Sequence, residues 1–312
     1  MSSTSAEAAE ETRKAWEQVA AGYDDLVTPT HLGIAEQGLR QVRVGPGTKL
    51  LDVAAGSGAL AVTAARLGAD VLAVDLAPTM LTRLRARARA EGLSTVQTRL
   101  MDGHALELAE NTFDVVASQY GVMLFTDLSR GVAEMVRVTR PGGRVLLTVF
   151  GPPEQIEFEL FFNRALESAA PGVSDYPSGP PPLPFQISDP IQLHRELTTA
   201  GLVEVNVLRV TETLRFTIGA QMWDWSIYSH PLGIEVAAGL TEAEQAGVRQ
   251  ALDQQLRDRA AGPRPAELTH PVLLSTGRKP PDDPVRESEL PPGGELSPSP
   301  RRPGPPPSGP GG

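Results

Sequence analysis

Between residues 48 and 150, short apolar, β-branched runs alternate with longer stretches whose apolar positions recur at helical spacing. Residues 48–53, 70–75, 95–101, 113–118 and 143–150 read as strands. Residues 60–67, 79–91 and 128–138 read as helices between them. In the second of these helices Leu81, Leu84 and Ala88 share one face, and Arg83, Arg85, Arg87 and Arg89 project outward toward solvent. Strands and helices in strict alternation predict an α/β fold, with a mostly parallel sheet covered on both faces by right-handed crossovers.

Outside that block the rhythm differs. Residues 6–21 form a helical pattern with acidic residues early, and Gly22 is expected to end it. After Phe150, Pro-rich stretches flank a helix at 156–169. Another helix follows at 189–200, with Asp189 as N-cap and Pro190 at the first helical position. Residues 203–210 and 214–218 alternate like two strands, and 272–276 like a last one. Thr241 and Glu244 make a capping-box pattern at the head of a helix over 241–260. From Lys279 onward Pro, Gly, Ser and charges leave too few apolar residues to offset ordering entropy, which predicts a disordered tail over 279–312.

Composition narrows the function classes. A chain of 312 residues, 40% hydrophobic and 21% charged, buries a sizeable core without a metal or disulfide staple. The absence of cysteine excludes disulfides, Cys-ligated metals and a cysteine nucleophile, and no metal site is expected. A net charge of −10 argues against an extended nucleic-acid footprint. No apolar run reaches the ~18–20 residues a membrane span needs, and the acidic start lacks a secretory pattern. The expectation is a cytoplasmic protein acting on a small molecule.

The candidate chemistry sits where predicted strands end. Leu50-Leu51-Asp52-Val53-Ala54-Ala55-Gly56-Ser57-Gly58 turns a strand into a helix. Gly56 and Gly58 there allow close backbone approach to a ligand beside free helix N–H groups. Asp75 closes the next strand about twenty residues on, where a carboxylate can accept both hydroxyls of a ribose. Asp102, followed by Gly103, lies after the third strand, in reach of an adenine amino group. Either Asp alone reads equally as a helix cap or a turn residue. In register at three successive strand ends, they mark the ligand edge of an open α/β sheet.

With Phe113-Asp114-Val115-Val116 and Arg140-Pro141-Gly142-Gly143-Arg144 added, this series resembles the class I S-adenosylmethionine-dependent methyltransferases. It is most similar to the group that includes the ubiquinone and menaquinone biosynthesis methyltransferases. The likeness covers residues 16–150 well and extends weakly to 279. One departure is Ala54, where the family usually has a first glycine. The resemblance implies a doubly wound, Rossmann-like sheet of seven strands with the last reversed, around 46–278. It also implies a helical lid over residues 1–45, with Tyr23 in it, and a cap from insertions near 152–200 and 219–262. S-adenosylmethionine is the implied cofactor. Gly56 and Gly58 would lie against its methionine part, with Asp52 and Ala54 also among the cofactor-binding positions, Asp75 at the ribose and Leu76 on the adenine. Asp102 and Gly103 would read the adenine edge, and Ser118 and Gln119 would border the carboxylate and sulfonium.

For catalysis, His31 in the lid region and His230 beside the aromatic cluster are the candidate bases, each equally readable as a surface or structural histidine. His104 belongs to the adenine loop. Trp223, Trp225 and Tyr228 either form an aromatic wall for a planar substrate or pack the cap's own core. Two other classes compete with the methyltransferase. An NAD-dependent oxidoreductase would need a three-glycine turn, which Ala54 and Ala55 break. A non-catalytic cofactor-binding scaffold would tolerate a degraded set of cofactor carboxylates, and here the set is complete.

Overall fold

The strands of the sheet take their places by parity of side chains. In β1 (Lys49–Val53) Leu50 points to one face, and Leu51 and Val53 to the other. A computed structural model describes residues 3–173, 183–260 and 262–281, and the expected tail beyond Pro281 lies outside the described residues. Among these, seven strands form one sheet in the order β3-β2-β1-β4-β5-β7-β6. They are β1, β2 (Asp70–Asp75), β3 (Val96–Leu100), β4 (Phe113–Gln119), β5 (Thr139–Phe150), β6 (Val203–Phe216) and β7 (Ala266–Arg278). The first five run parallel, and β7 is antiparallel to both of its neighbours, β5 and β6. The reversed last strand is present as expected.

The Leu50 face is covered by α2 (Leu32–Gln41), α3 (Ala59–Arg66) and α4 (Pro78–Ala90), whose Leu39, Leu60, Ala64 and Leu84 pack on Val71, Ala73, Val115 and Leu146. The Leu51 face is covered by α5 (Leu128–Val138) and α7 (Pro190–Thr199) through Val132, Met135, Leu193 and Leu197. Asp189 caps α7 as its sequence indicates, accepting from the N–H groups of Ile191 and Gln192.

Three local expectations change. Residues 203–216 form one strand rather than two. The polar run Thr211-Glu212-Thr213 interrupts the apolar alternation but stays in register with β7. The β5–β7 ladder stops at Phe150 and Val272, whereas β6–β7 continues to Phe216 and Ala266. A two-stranded ribbon therefore projects past the carboxyl ends of the parallel strands. Its Leu214, Phe216 and Leu268 join a second core with α6 (Glu157–Ala169), α8 (Gly219–Ser229), α9 (Pro231–Gly239) and α10 (Glu242–Arg259). The Thr241–Glu244 capping box at α10 is formed in full.

Second, the first α-helix ends at Gly22 as expected, but the chain keeps turning beyond it. Helix α1 (Ser3–Gly22) runs on through a wide turn at Tyr23–Val27 and a tight one at Thr28–His31 into α2. Gly22 keeps helical torsions, and a β-carbon there would lie 2.2 Å from the Tyr228 ring, so the residue serves a close helix contact. Third, Lys279 is tied down. Its N–H donates to Gly143 O, its carbonyl accepts from Gly142, and its Nζ donates to Asn111, Val136 and Arg137.

Candidate active site

The carboxyl ends of β1 to β4 open onto a cavity of about 420 Å3. Its floor is the β1–α3 loop, where Ala54, Gly56 and Gly58 all have positive φ, at 56°, 54° and 97°. Glycine accepts such torsions freely, and alanine does so at a cost. Ala54 fits because Gly121 faces it: a β-carbon on Gly121 would stand 2.5 Å from that of Ala54. At Gly58 a β-carbon would press on Leu84 at 2.6 Å, and at Gly103 on Phe125 at 2.3 Å. Glycine at these positions lets the neighbouring side chains pack close behind the loops.

Three carboxylates line this cavity. Asp75 is held by backbone N–H groups, Oδ2 accepting from Gly56 and Oδ1 from Ala77, each at 2.8 Å. Burial pushes its pKa up against those donors. Asp102 Oδ1 accepts from the His104 N–H at 2.9 Å and lies 2.8 Å from its Nδ1. The His104 hydrogen bond is the main cause holding Asp102 below the usual carboxylate range. Asp52 is different. It is 1% exposed, and neither of its carboxylate oxygens has a well-formed hydrogen bond among the described residues, the Ala61 backbone N–H being a weak influence. Burial, followed by the charge of Asp75, drives its pKa well up.

The roof is α1, whose Ala9, Thr12 and Trp16 face the cavity at i, i+3 and i+7. It is fastened beyond its end, where Asp24 pairs with Arg87 and accepts from Arg83 at 3.4 Å, and Arg87 also reaches the Asp24 carbonyl at 3.0 Å. Two of the arginines expected to face solvent on α4 thus hold the N-terminal segment.

A second chamber of about 100 Å3 adjoins the first, and Trp16, Tyr23, His31, Tyr120 and Leu124 line both. Its other walls are largely apolar and aromatic, with Phe150, Phe158, Phe162 and Trp225, and carry Glu159, Ser226, Ser229 and His230 as polar members. Phe158 meets Trp225 edge-on at 5.0 Å. Trp225 is buried with its Nε1 unpartnered, as is the Ser226 hydroxyl beside it.

Most residues singled out in the sequence converge here. Asp52, Ala54, Gly56, Gly58, Asp75, Leu76, Asp102, Gly103, Gln119 and His104 line the first cavity, Tyr23 and His31 both chambers, and His230 and Trp225 the second. Three do not. Ser118 is fully buried behind the wall, and its hydroxyl accepts from Val122 N–H to close the turn after β4. Trp223 packs inside the cap against Phe162, with Arg249 over its ring at 5.0 Å. Tyr228 packs on Gly22 and α1 rather than on a chamber. On an α-helix 223 and 225 face opposite sides, while Tyr228 shares the Trp225 side but is taken up by Gly22 and α1, so only Trp225 reaches the chamber. His230 caps α9, its Nδ1 accepting from Leu232 N–H at 3.2 Å, and burial lowers its pKa to about 4. Sequence reasoning missed Tyr120, Glu212 and His270, which meet where the Tyr120 ring forms the wall of the second chamber. The one signal in the sequence was a polar triplet inside the β6 pattern.

A methyltransferase-domain model matches residues 51–147. The nocamycin O-methyltransferase of Saccharothrix syringae is 30% identical over 285 residues, covering 84% of this chain and 96% of that one. The chain belongs to the class I S-adenosylmethionine-dependent methyltransferases. A demethylmenaquinone methyltransferase of Corynebacterium urealyticum is 31% identical over 209 residues, 63% of this chain and 87% of its own. Mycobacterial relatives reach 41% identity over 128 residues, and there the chain spans only 44% of their length. The fold is shared with the YcgJ protein of Bacillus subtilis, at a TM-score of 0.53 and 16% identity over 79% of this chain and 97% of that one.

The cavity of this methyltransferase fits the family's cofactor on its own chemistry. S-adenosylmethionine carries an ammonium and a sulfonium, and an unpartnered buried carboxylate such as Asp52 calls for a cationic ligand group. Asp75 keeps lone pairs beyond its two backbone donors, as a ribose partner must.

Proposed function

We propose that this chain moves a methyl group from S-adenosylmethionine to a small apolar or aromatic molecule held in the second chamber. The observation that carries this is the shared wall. Five residues line both chambers, so an acceptor among Phe158, Phe162 and Trp225 lies next to the reacting end of the cofactor cavity. When bound, the cofactor supplies an electrophilic methyl on a good leaving group. The protein's own part is to hold, align and exclude water, worth ~7–11 kcal/mol for well-oriented partners. Asp52 would neutralise the cationic methionine end, Asp75 would take the ribose hydroxyls, and Asp102 with Gly103 would read the adenine edge. Gln119 borders the reacting end, with Oε1 buried and unpartnered and Nε2 donating to the His31 carbonyl at 3.0 Å.

Trp225 Nε1 and Ser226 Oγ, both buried without partners, would fix an oxygen-bearing group on the acceptor. Two relatives named for methylating nocamycin and demethylmenaquinone support an organic acceptor of this kind. The charge of −10 does not favour nucleic acid as the acceptor, and no helix among the described residues is long and apolar enough to cross a membrane. Mass spectrometry after incubation with labelled S-adenosylmethionine and a panel of phenols, quinols and amines tests the reading. Labelled product from the panel, with Trp225→Ala raising its KM while cofactor affinity holds, is the expected result. Equal loss of cofactor affinity would place Trp225 in the fold and not in the acceptor site.

A further inference from the structure

Two ionisable side chains outside every cofactor motif, Glu212 and His270, meet Tyr120 where its ring forms the wall of the acceptor chamber. Glu212 on β6 and His270 on β7 stand directly opposite each other in the ribbon, and Tyr120 follows β4. Glu212 Oε2 accepts from the Tyr120 hydroxyl at 2.6 Å and lies 3.0 Å from His270 Nε2. All three are buried, with Glu212 8% and His270 2% exposed. Tyr120 is held there with φ of +55°, its N–H donating to Thr148 O at 2.8 Å. A strained torsion of that kind persists only where its surroundings demand it.

The hydrogen bonds decide where the charge sits. A carboxylate facing Nε2 requires that nitrogen to carry the hydrogen, and His270 Nδ1 is buried with no partner. A second proton on His270 would leave a buried N–H without an acceptor. Glu212 Oε1 is unpartnered too, and among the described residues no Lys or Arg pairs with this carboxylate. Burial raises the Glu212 pKa, while His270, His31 and Tyr120 bring it below the ordinary value, and the two partners at Oε2 suit the charged form. A buried anion without a cation is costly, and proteins keep such groups where a positive charge appears in use.

The group placed to gain that charge is His31. Its ring lies 4.7 Å from the Tyr120 ring, on the wall common to both chambers, and it makes no hydrogen bond to any described residue. Burial lowers its pKa, and the Glu212 charge pulls it back up. Tyr23 from the wide turn and Tyr120 after β4 face its ring, and the charges of Glu212 on β6 and His270 on β7 act on it from behind them. Burial raises the pKa of both tyrosines, so of these groups Glu212 favours a charged His31 ring and His270 opposes it.

We propose that Glu212, aimed by Tyr120 and His270, is the positioning charge for His31, and that His31 takes the proton of a hydroxyl acceptor as that oxygen is methylated. The inference rests on the methyl-transfer reading above. The acceptor's O–H bond breaks with its proton going to His31, the freed oxygen pair forms the O–CH3 bond, and the S–CH3 pair returns to sulfur as a neutral thioether. His31 ends protonated with the Glu212 charge reaching it across Tyr120, whose ring packs on His31 and whose hydroxyl holds the carboxylate. An amine acceptor attacks with a free lone pair and needs no such base; a hydroxyl does.

NMR titration of the full chain saturated with S-adenosylhomocysteine tests this, with 15N in the histidine rings and 13C at the glutamate carboxyls. Glu212→Gln, which keeps the shape and an acceptor oxygen, is expected to lower the proton affinity of His31 about tenfold. Its affinity for S-adenosylhomocysteine should stay within about twofold. In the unaltered protein the Glu212 carboxyl carbon should shift at the pH where His31 titrates, a readout that stands even if the variant does not fold. A Glu212 signal that follows His270 alone, with His31 unmoved by Glu212→Gln, overturns the proposal and leaves a structural cross-strand pair. Failure of the unaltered protein to bind S-adenosylhomocysteine would instead strike the methyl-transfer reading.

Discussion

Ala54 is where the chain departs from the glycine its family usually places in the β1–α3 loop, and the structure shows what offsets it. The alanine keeps a positive φ because its neighbour across the turn, Gly121, has no side chain. That departure is legible in the sequence, but its compensation is not, since the two residues are 67 positions apart and meet only in the fold. His230 teaches a related point. Beside an aromatic cluster it reads as a base, yet its Nδ1 is the cap of α9 and burial holds its pKa near 4. The unfolded chain binds a proton there near 6.5, and the folded protein only near 4. Between those values unfolding takes up a proton, so stability is full above about 6.5 and falls as pH drops through the window, by up to about 3 kcal/mol. His31, also lowered by burial, acts in the same direction. Chemical denaturation at a series of pH values should show this slope, and His230→Asn, which keeps a capping acceptor, should flatten part of it. An unchanged slope would mean that His230 titrates normally.

At the scale of elements, the parallel block from β1 to β5 is the part most readable from sequence, because each buried strand is a short apolar run and each crossover helix has one apolar stripe. Strand β6 is less so. Its buried Glu212 breaks the pattern that periodicity relies on, and the residue that hides the strand is the one with unexplained charge. The arginines of α4 were read as a solvated face, which is what charge on a helix usually means. Arg83 and Arg87 instead grip Asp24 and hold the α1 segment over the cofactor cavity. This pairing is partly exposed, so its effect on overall stability is expected to be small, about 1 kcal/mol or less. Its effect on the roof is larger in proportion, because few other charges tie this turn down. Asp24→Asn should speed dissociation of S-adenosylhomocysteine several-fold in stopped-flow displacement, with the melting temperature shifting by a few degrees at most. Unchanged dissociation would show that the roof does not govern cofactor exit.

For the molecule as a whole, the sheet and its two flanking cores lie within residues 3–281, and the last backbone ties run through Lys279. Composition alone drew the boundary at Lys279, but the hydrogen bonds of that residue to Gly143, Asn111, Val136 and Arg137 place it with the fold. A chain ending at Pro281 should therefore keep its melting temperature within a few degrees, while one ending at Thr276 should lose several degrees because β7 is cut. A large drop for the first truncation would show that residues beyond 281 contribute to stability. The strand-end cavity was legible because its residues follow strand ends in register. The acceptor half was not, since Trp225, Phe158, Tyr120 and Glu212 come from four distant elements that only packing brings together.

The central claim is that the strand-end carboxylates hold S-adenosylmethionine, and Asp75 is its sharpest test. Charge-assisted hydrogen bonds to two ribose hydroxyls contribute ~1.5–3 kcal/mol each. Calorimetric titration with S-adenosylhomocysteine should give saturable, micromolar binding in the unaltered protein, with no heat from NAD. Asp75→Ala should weaken that binding about ten- to a thousandfold. Saturable NAD binding without a response to S-adenosylhomocysteine, or full affinity retained in Asp75→Ala, would contradict the account.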